Sequence, residues 1–122
     1  MDIDISAEKA PLKAQLRVGG GFPITWVLYD YETTGGAWTR SQVGGGQGSA
    51  WMDLPAASAA ALKDHVLTWA VAAVDFDEEP LDVEVVVAIK GTDPASPGAE
   101  RKGRWSVSKS QPRAFISVRI VK

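Results

Sequence analysis

The feature that most constrains this chain is an apolar side chain at every second position. Leu12, Ala14, Leu16 and Val18 alternate with Lys13, Gln15 and Arg17. Leu81, Val83, Val85, Val87 and Ile89 form a second set, with Asp82 and Glu84 opposite. Ile116, Val118 and Ile120 oppose Phe115, Ser117, Arg119 and Val121. Successive side chains of a strand point to opposite faces, so a period of two predicts strands with one face buried. The β-branched and aromatic run 22–30 fits a pleated, half-buried strand. After Thr33-Thr34-Gly35-Gly36 comes the run 37–43, and the pair predicts a hairpin. Further strands are expected over 65–76 and around Trp105 and Val107, with a short edge strand over 49–53.

Between these runs, Gly44-Gly45-Gly46-Gln47-Gly48 reads as a mobile loop. The alanine-rich stretch 55–64, opened by Pro55, reads as the one short helix. Seven or eight strands separated by turn residues predict an all-β fold. The expected form is a single antiparallel β-sandwich, jelly-roll or immunoglobulin-like, with residues 1–122 as one domain.

Composition removes several classes of chemistry. The chain has 122 residues, no Cys and one His, which excludes disulfides, thiolate ligands and multi-histidine metal sites. No apolar run reaches a membrane span, and the acidic start Met1-Asp2-Ile3-Asp4 is unlike a signal peptide. The expected location is therefore cytoplasmic, or outside the cell by a leaderless route. A Ser-His-Asp triad would need His65, with Asp64 beside it to orient the ring, yet no Gly-x-Ser-x-Gly elbow is present. No glycine-rich phosphate loop matches either. The expectation is a protein that is not an enzyme and carries no cofactor; a hydrolase built on an Asp/Glu pair is the weaker alternative.

Charge is distributed unevenly. Residues 1–89 hold five basic and thirteen acidic side chains, whereas residues 90–122 hold eight basic and two acidic. Cross-strand pairing between the basic C-terminal part and the acidic region 75–84 accounts for this better than a nucleic-acid partner does, since the pI is about 5.3. Asp75, Asp77 and Glu78, in a run of four carboxylates over 75–79, are the candidate metal ligands, and calcium is the cation such oxygens would suit. The alternative is a solvated acidic turn.

Tryptophan carries the functional expectation. Trp26 and Trp69 share faces with aliphatic residues and belong in a core. Trp38, Trp51 and Trp105 stand beside glycine, serine or basic residues, which suggests rings at loop ends that stack on sugars. Arg40, Gln42, Gln47 and Asp53 would be their polar neighbours. The expected function is a non-catalytic, carbohydrate-binding, lectin-like module. The segments 71–74 and 85–89 are apolar on both faces, which adds an expectation of self-association into a homo-oligomer. A structural or surface-assembly protein without a small ligand is the main alternative.

Overall fold

The alternating runs become paired strands. The structure, a computed structural model, describes residues 1–55 and 58–121. Its strands are β1 (Asp2–Asp4), β2 (Lys13–Val18), β3 (Ile24–Thr34), β4 (Ala37–Gln47), β5 (Trp51–Asp53), β6 (Val66–Ala73), β7 (Leu81–Lys90), β8 (Ala99–Val107) and β9 (Arg113–Val121). They form a five-stranded sheet in the order β1-β9-β6-β3-β4 and a four-stranded sheet in the order β5-β2-β7-β8. The chain changes sheets at every connection except the β3–β4 and β7–β8 hairpins.

Every strand pair is antiparallel but one. β1 runs parallel to β9, with Ile3 opposite Ile120. This strand lies beyond the seven or eight read from the sequence, because a three-residue segment with one apolar side chain has no period to detect. Ile3 is nonetheless completely buried.

One cluster of buried side chains draws on both sheets. Leu16, Val85, Val87 and Val107 enter it from the smaller sheet; Trp26, Leu28, Trp69 and Val118 enter from the larger. The alternation in the sequence is thus an alternation between this core and the two faces turned away from it. Burying a large apolar side chain contributes about 1.5–3 kcal/mol, so the inward phase fixes which way each strand faces.

Two local expectations are corrected. Residues 44–47 are not a mobile loop but the end of β4. Close approach favours glycine at Gly46, where a Cβ would stand 2.7 Å from the Trp26 ring; at Gly44 a Cβ would meet only the flexible end of Met52, at 2.8 Å. The helix expected at 55–64 is, among the described residues, a 3-10 turn at Ala60–Leu62; residues 56 and 57 lie outside the described part. Alanine propensity alone does not offset the cost of nucleating a helix, and Leu62 is the only buried anchor of the turn. Among the described residues no helix is long and apolar enough to cross a membrane.

The hairpin turn behaves as its glycines suggest. Gly35 and Gly36 both have positive φ, at 61° and 85°, the geometry of the tight turn that matches strand twist. Farther along, Val43 is left without a partner, since Leu28 pairs with Gly44 and Tyr29 with Gln42. This β-bulge shifts the phase of the first half of β4 by one residue.

Candidate functional site

That phase shift places the most exposed tryptophan. Paired residues of adjacent strands share a face, so the register of the larger sheet can be followed in rows across its outer side. One row reads Ser117, Thr68, Tyr29, Gln42 and the next Arg119, Val66, Tyr31, Arg40. Two rows farther toward the opposite end read Phe115, Ala70, Val27, Gly45 and Arg113, Ala72, Thr25, Gln47. Trp38 pairs with Thr33 just beyond the Tyr31 row and lies on the same side. Without the bulge, Trp38 and Arg40 would fall on the core-facing phase.

Trp38, Tyr31, Val66, Thr68, Ser117 and Phe115 line a shallow, largely open groove of about 440 Å³ on this face. Trp38 is 58% exposed and Phe115 is 78% exposed. The floor is apolar apart from one hydroxyl pair, Thr68 Oγ1 and Ser117 Oγ, 2.9 Å apart. The guanidinium of Arg40 lies over the Tyr29 ring, 4.7 Å from its centre, a cation–π contact that holds the side chain across the sheet. Groups of this kind can stack on a ring-shaped ligand and exchange hydrogen bonds with it. Among them are no nucleophile–base pair and no clustered carboxylates.

The residues expected to form one tryptophan platform do not come together. Trp38 and Arg40 lie on the outer face of the larger sheet, with Gln42 beside them. Gln47 shares that face but sits in the last row, paired with Thr25. Trp51 and Asp53 are on β5, in the other sheet, where they pair with Gln15 and Lys13. Trp105 is the clear correction: it is only 5% exposed, pairs with Val83 on the core side and packs edge-on against Phe22 at 5.8 Å. The polar neighbours that suggested a loop-end ring, Arg104 and Ser106, are simply the outward phase of β8.

On the outer face of the smaller sheet Trp51 is exposed, but the strip over β7 is covered. Gln15 donates from Nε2 to the Ser49 carbonyl (2.7 Å) and accepts from Arg17 Nη1 (2.8 Å), while Arg17 Nη2 meets Glu100 Oε1 at 2.9 Å. This chain of long side chains runs from β2 to β8 across β7 and covers Val86 and Ala88, which are 8% and 4% exposed. The apolar patch expected at 85–89 is therefore not a free surface. Of the other expected segment, Val71 is in the core and only Val74 is exposed. Lys90 lies over Trp51, 5.4 Å from its ring centre. Glu84 pairs with Arg104 across β7 and β8, so basic and acidic segments do stand side by side.

The metal expectation finds no site. Asp75, Asp77 and Glu78 are exposed on the β6–β7 turn, and among the described residues no three acidic or histidine side chains are gathered closely enough to hold an ion. The turn is held instead by Phe76, which packs on Phe22 at 5.1 Å. His65 also has partners other than the neighbour expected from the sequence. Its Nδ1 lies 2.9 Å from Asp30 Oδ1 and its Nε2 lies 3.5 Å from Glu32 Oε2, while Asp64 pairs with Arg119 at 3.3 Å. The imidazole therefore stands between Asp30 and Glu32.

Sequence reasoning missed Tyr29, Tyr31, Thr68, Phe115 and Ser117. The signal was present in the alternation: Phe115 is out of phase with Ile116, Val118 and Ile120, and Tyr29 and Tyr31 are out of phase with Trp26 and Leu28. In comparison with known proteins, no family model, no curated protein and no solved structure matches this chain.

Proposed function

We propose that this chain is a non-catalytic carbohydrate-binding module, a two-layer β-sandwich whose ligand rests on the outer face of the larger sheet. One observation carries the reading: Trp38 and Phe115 stand exposed at either side of a groove floored by Tyr31, Val66 and a hydroxyl pair. A sugar ring has apolar C–H faces and polar edges, which suits aromatic walls and a sparse set of hydrogen-bonding groups. The crossing of the chain between layers at most connections is the habit of jelly-roll and immunoglobulin-like sandwiches. The self-associating alternative now rests on this same apolar face rather than on residues 71–74 and 85–89.

Tryptophan fluorescence titrated with a panel of oligosaccharides tests the reading. Binding should be lost in Trp38→Ala and in Phe115→Ala while the unfolding midpoint stays near that of the wild type. Unchanged binding in both variants would sink it. Sedimentation that depends on concentration, abolished by the same two substitutions in the absence of any sugar, would favour assembly through this face instead.

A further inference from the structure

Each exposed aromatic at the groove has an arginine two residues away on the same strand face: Trp38 with Arg40 on β4, and Phe115 with Arg113 on β9. Of the chain's fifteen acidic side chains, among the described residues only Asp2 and Asp4 fall in the register rows of this face, on the edge strand β1 beside Arg119 and Val121 and away from Arg40 and Arg113. Arg119 has a carboxylate, Asp64, at 3.3 Å. Among the described residues, neither Arg40 nor Arg113 has one within ion-pair distance. A protein with a net charge of −2 thus leaves these two arginines without counter-charges beside the two most exposed aromatic rings among the described residues.

We infer that the ligand is an extended acidic oligosaccharide, lying diagonally across the larger sheet with a carboxylate near each of Arg40 and Arg113. This deepens the carbohydrate reading and rests on it. Ideal strand spacing separates the two arginine positions by about 14 Å across the strands and about 20 Å along them, a diagonal of roughly 25 Å. A guanidinium is matched to a carboxylate in shape as well as charge. The aromatic groove between the two ends takes the intervening rings, and Thr68 and Ser117 face their hydroxyls. Single-stranded nucleic acid also stacks on aromatics, but it brings a phosphate with every nucleotide and needs a basic track along its path. Two widely separated arginines on an acidic protein fit sparse carboxylates better.

The test uses hyaluronan and unsulfated chondroitin hexasaccharides, which carry a carboxylate on every second ring, each with its carboxyl-reduced counterpart, and oligo(dT), all titrated by calorimetry. At least one acidic sugar should bind more tightly than its reduced form, and the gap should narrow as salt is raised. Arg40→Gln and Arg113→Gln should each weaken acidic binding by about tenfold to a hundredfold, the range of one charge-assisted hydrogen bond. Both should leave binding of the reduced sugar unchanged, and Arg113→Lys should recover part of the loss. Equal affinity for acidic and reduced sugars overturns the inference and leaves the carbohydrate reading standing. Failure of every sugar, acidic and reduced, overturns both. Tighter, arginine-dependent binding of oligo(dT) assigns the face to nucleic acid instead.

Discussion

The outward phase of β7 supplies Val86 and Ala88, and both are covered; the outward phases of β6 and β9 supply Ala70, Ala72 and Phe115, and Phe115 is mostly exposed. The difference lies in the neighbours. In the smaller sheet the flanking strands present Gln15, Arg17 and Glu100, whose long stems lie over apolar surface while their heads pair, with Lys102 beside them. In the larger sheet the positions beside Ala70 on β3 and β4 are Val27 and Gly45, too short to reach across, and the longer Arg113 and Gln47 stand one row away, at opposite edges of the Ala72 row. Whether a sheet face is open therefore depends on side-chain length in the adjacent strands at the same register row, not on how apolar the strand itself is.

The comparison can be broken most sharply with tryptophans. Trp105→Ala should cost about 3–5 kcal/mol in urea unfolding, the loss for a large buried aromatic, whereas Trp38→Ala should stay within about 0.5 kcal/mol. Comparable losses for the two would mean that Trp38 is also structural. Next in size is a charge placed on each face. Val86→Lys sets a third cation between Arg17 and Lys102 beneath the roof of the smaller sheet and should lower stability by about 1–3 kcal/mol. Ala70→Lys, on the open face between Phe115 and Val27, should cost less than about 0.5 kcal/mol in the same urea unfolding.

A smaller effect sharpens the account of the roof itself. The Arg17–Glu100 pair is 41% and 46% exposed in its side chains, so a double-mutant cycle to alanine should return a coupling of only about 0.2–1 kcal/mol. A coupling of zero would leave packing of the stems as the whole of the cover. The smallest expected change is Phe115→Ser, within about 0.5 kcal/mol by chemical unfolding. A larger loss would show that the ring is packed against its own sheet rather than available to a partner.

Much of the fold was legible in the residues, and the candidate site only in fragments. The runs 12–18, 81–89 and 115–121 announce β2, β7 and β9 because burial on one face imposes a period that propensity need not assist. Trp38 and Arg40 were singled out, but for the wrong neighbours. Trp105 was misread because the polarity of adjacent residues was taken as its own environment, although in a strand the residues at either side face the other way. Gly44 and Gly46 read as loop because a missing side chain looks the same whether it serves flexibility or leaves room for the Trp26 ring and Met52.

By itself the sequence determined which positions seek the core, since that preference is a property of each side chain and its period along one strand. It also determined the turn at Gly35 and Gly36, where positive φ is needed within the segment itself. Only the tertiary structure decided which outward residues share a face. The bulge at Val43 turns Trp38 and Arg40 outward beside Tyr31, and pairing across β6 brings Thr68 and Ser117 from positions far apart in the chain. The physical reason is that register is set jointly by several strands and by one unpaired residue, and a shift of one residue moves every side chain to the opposite side.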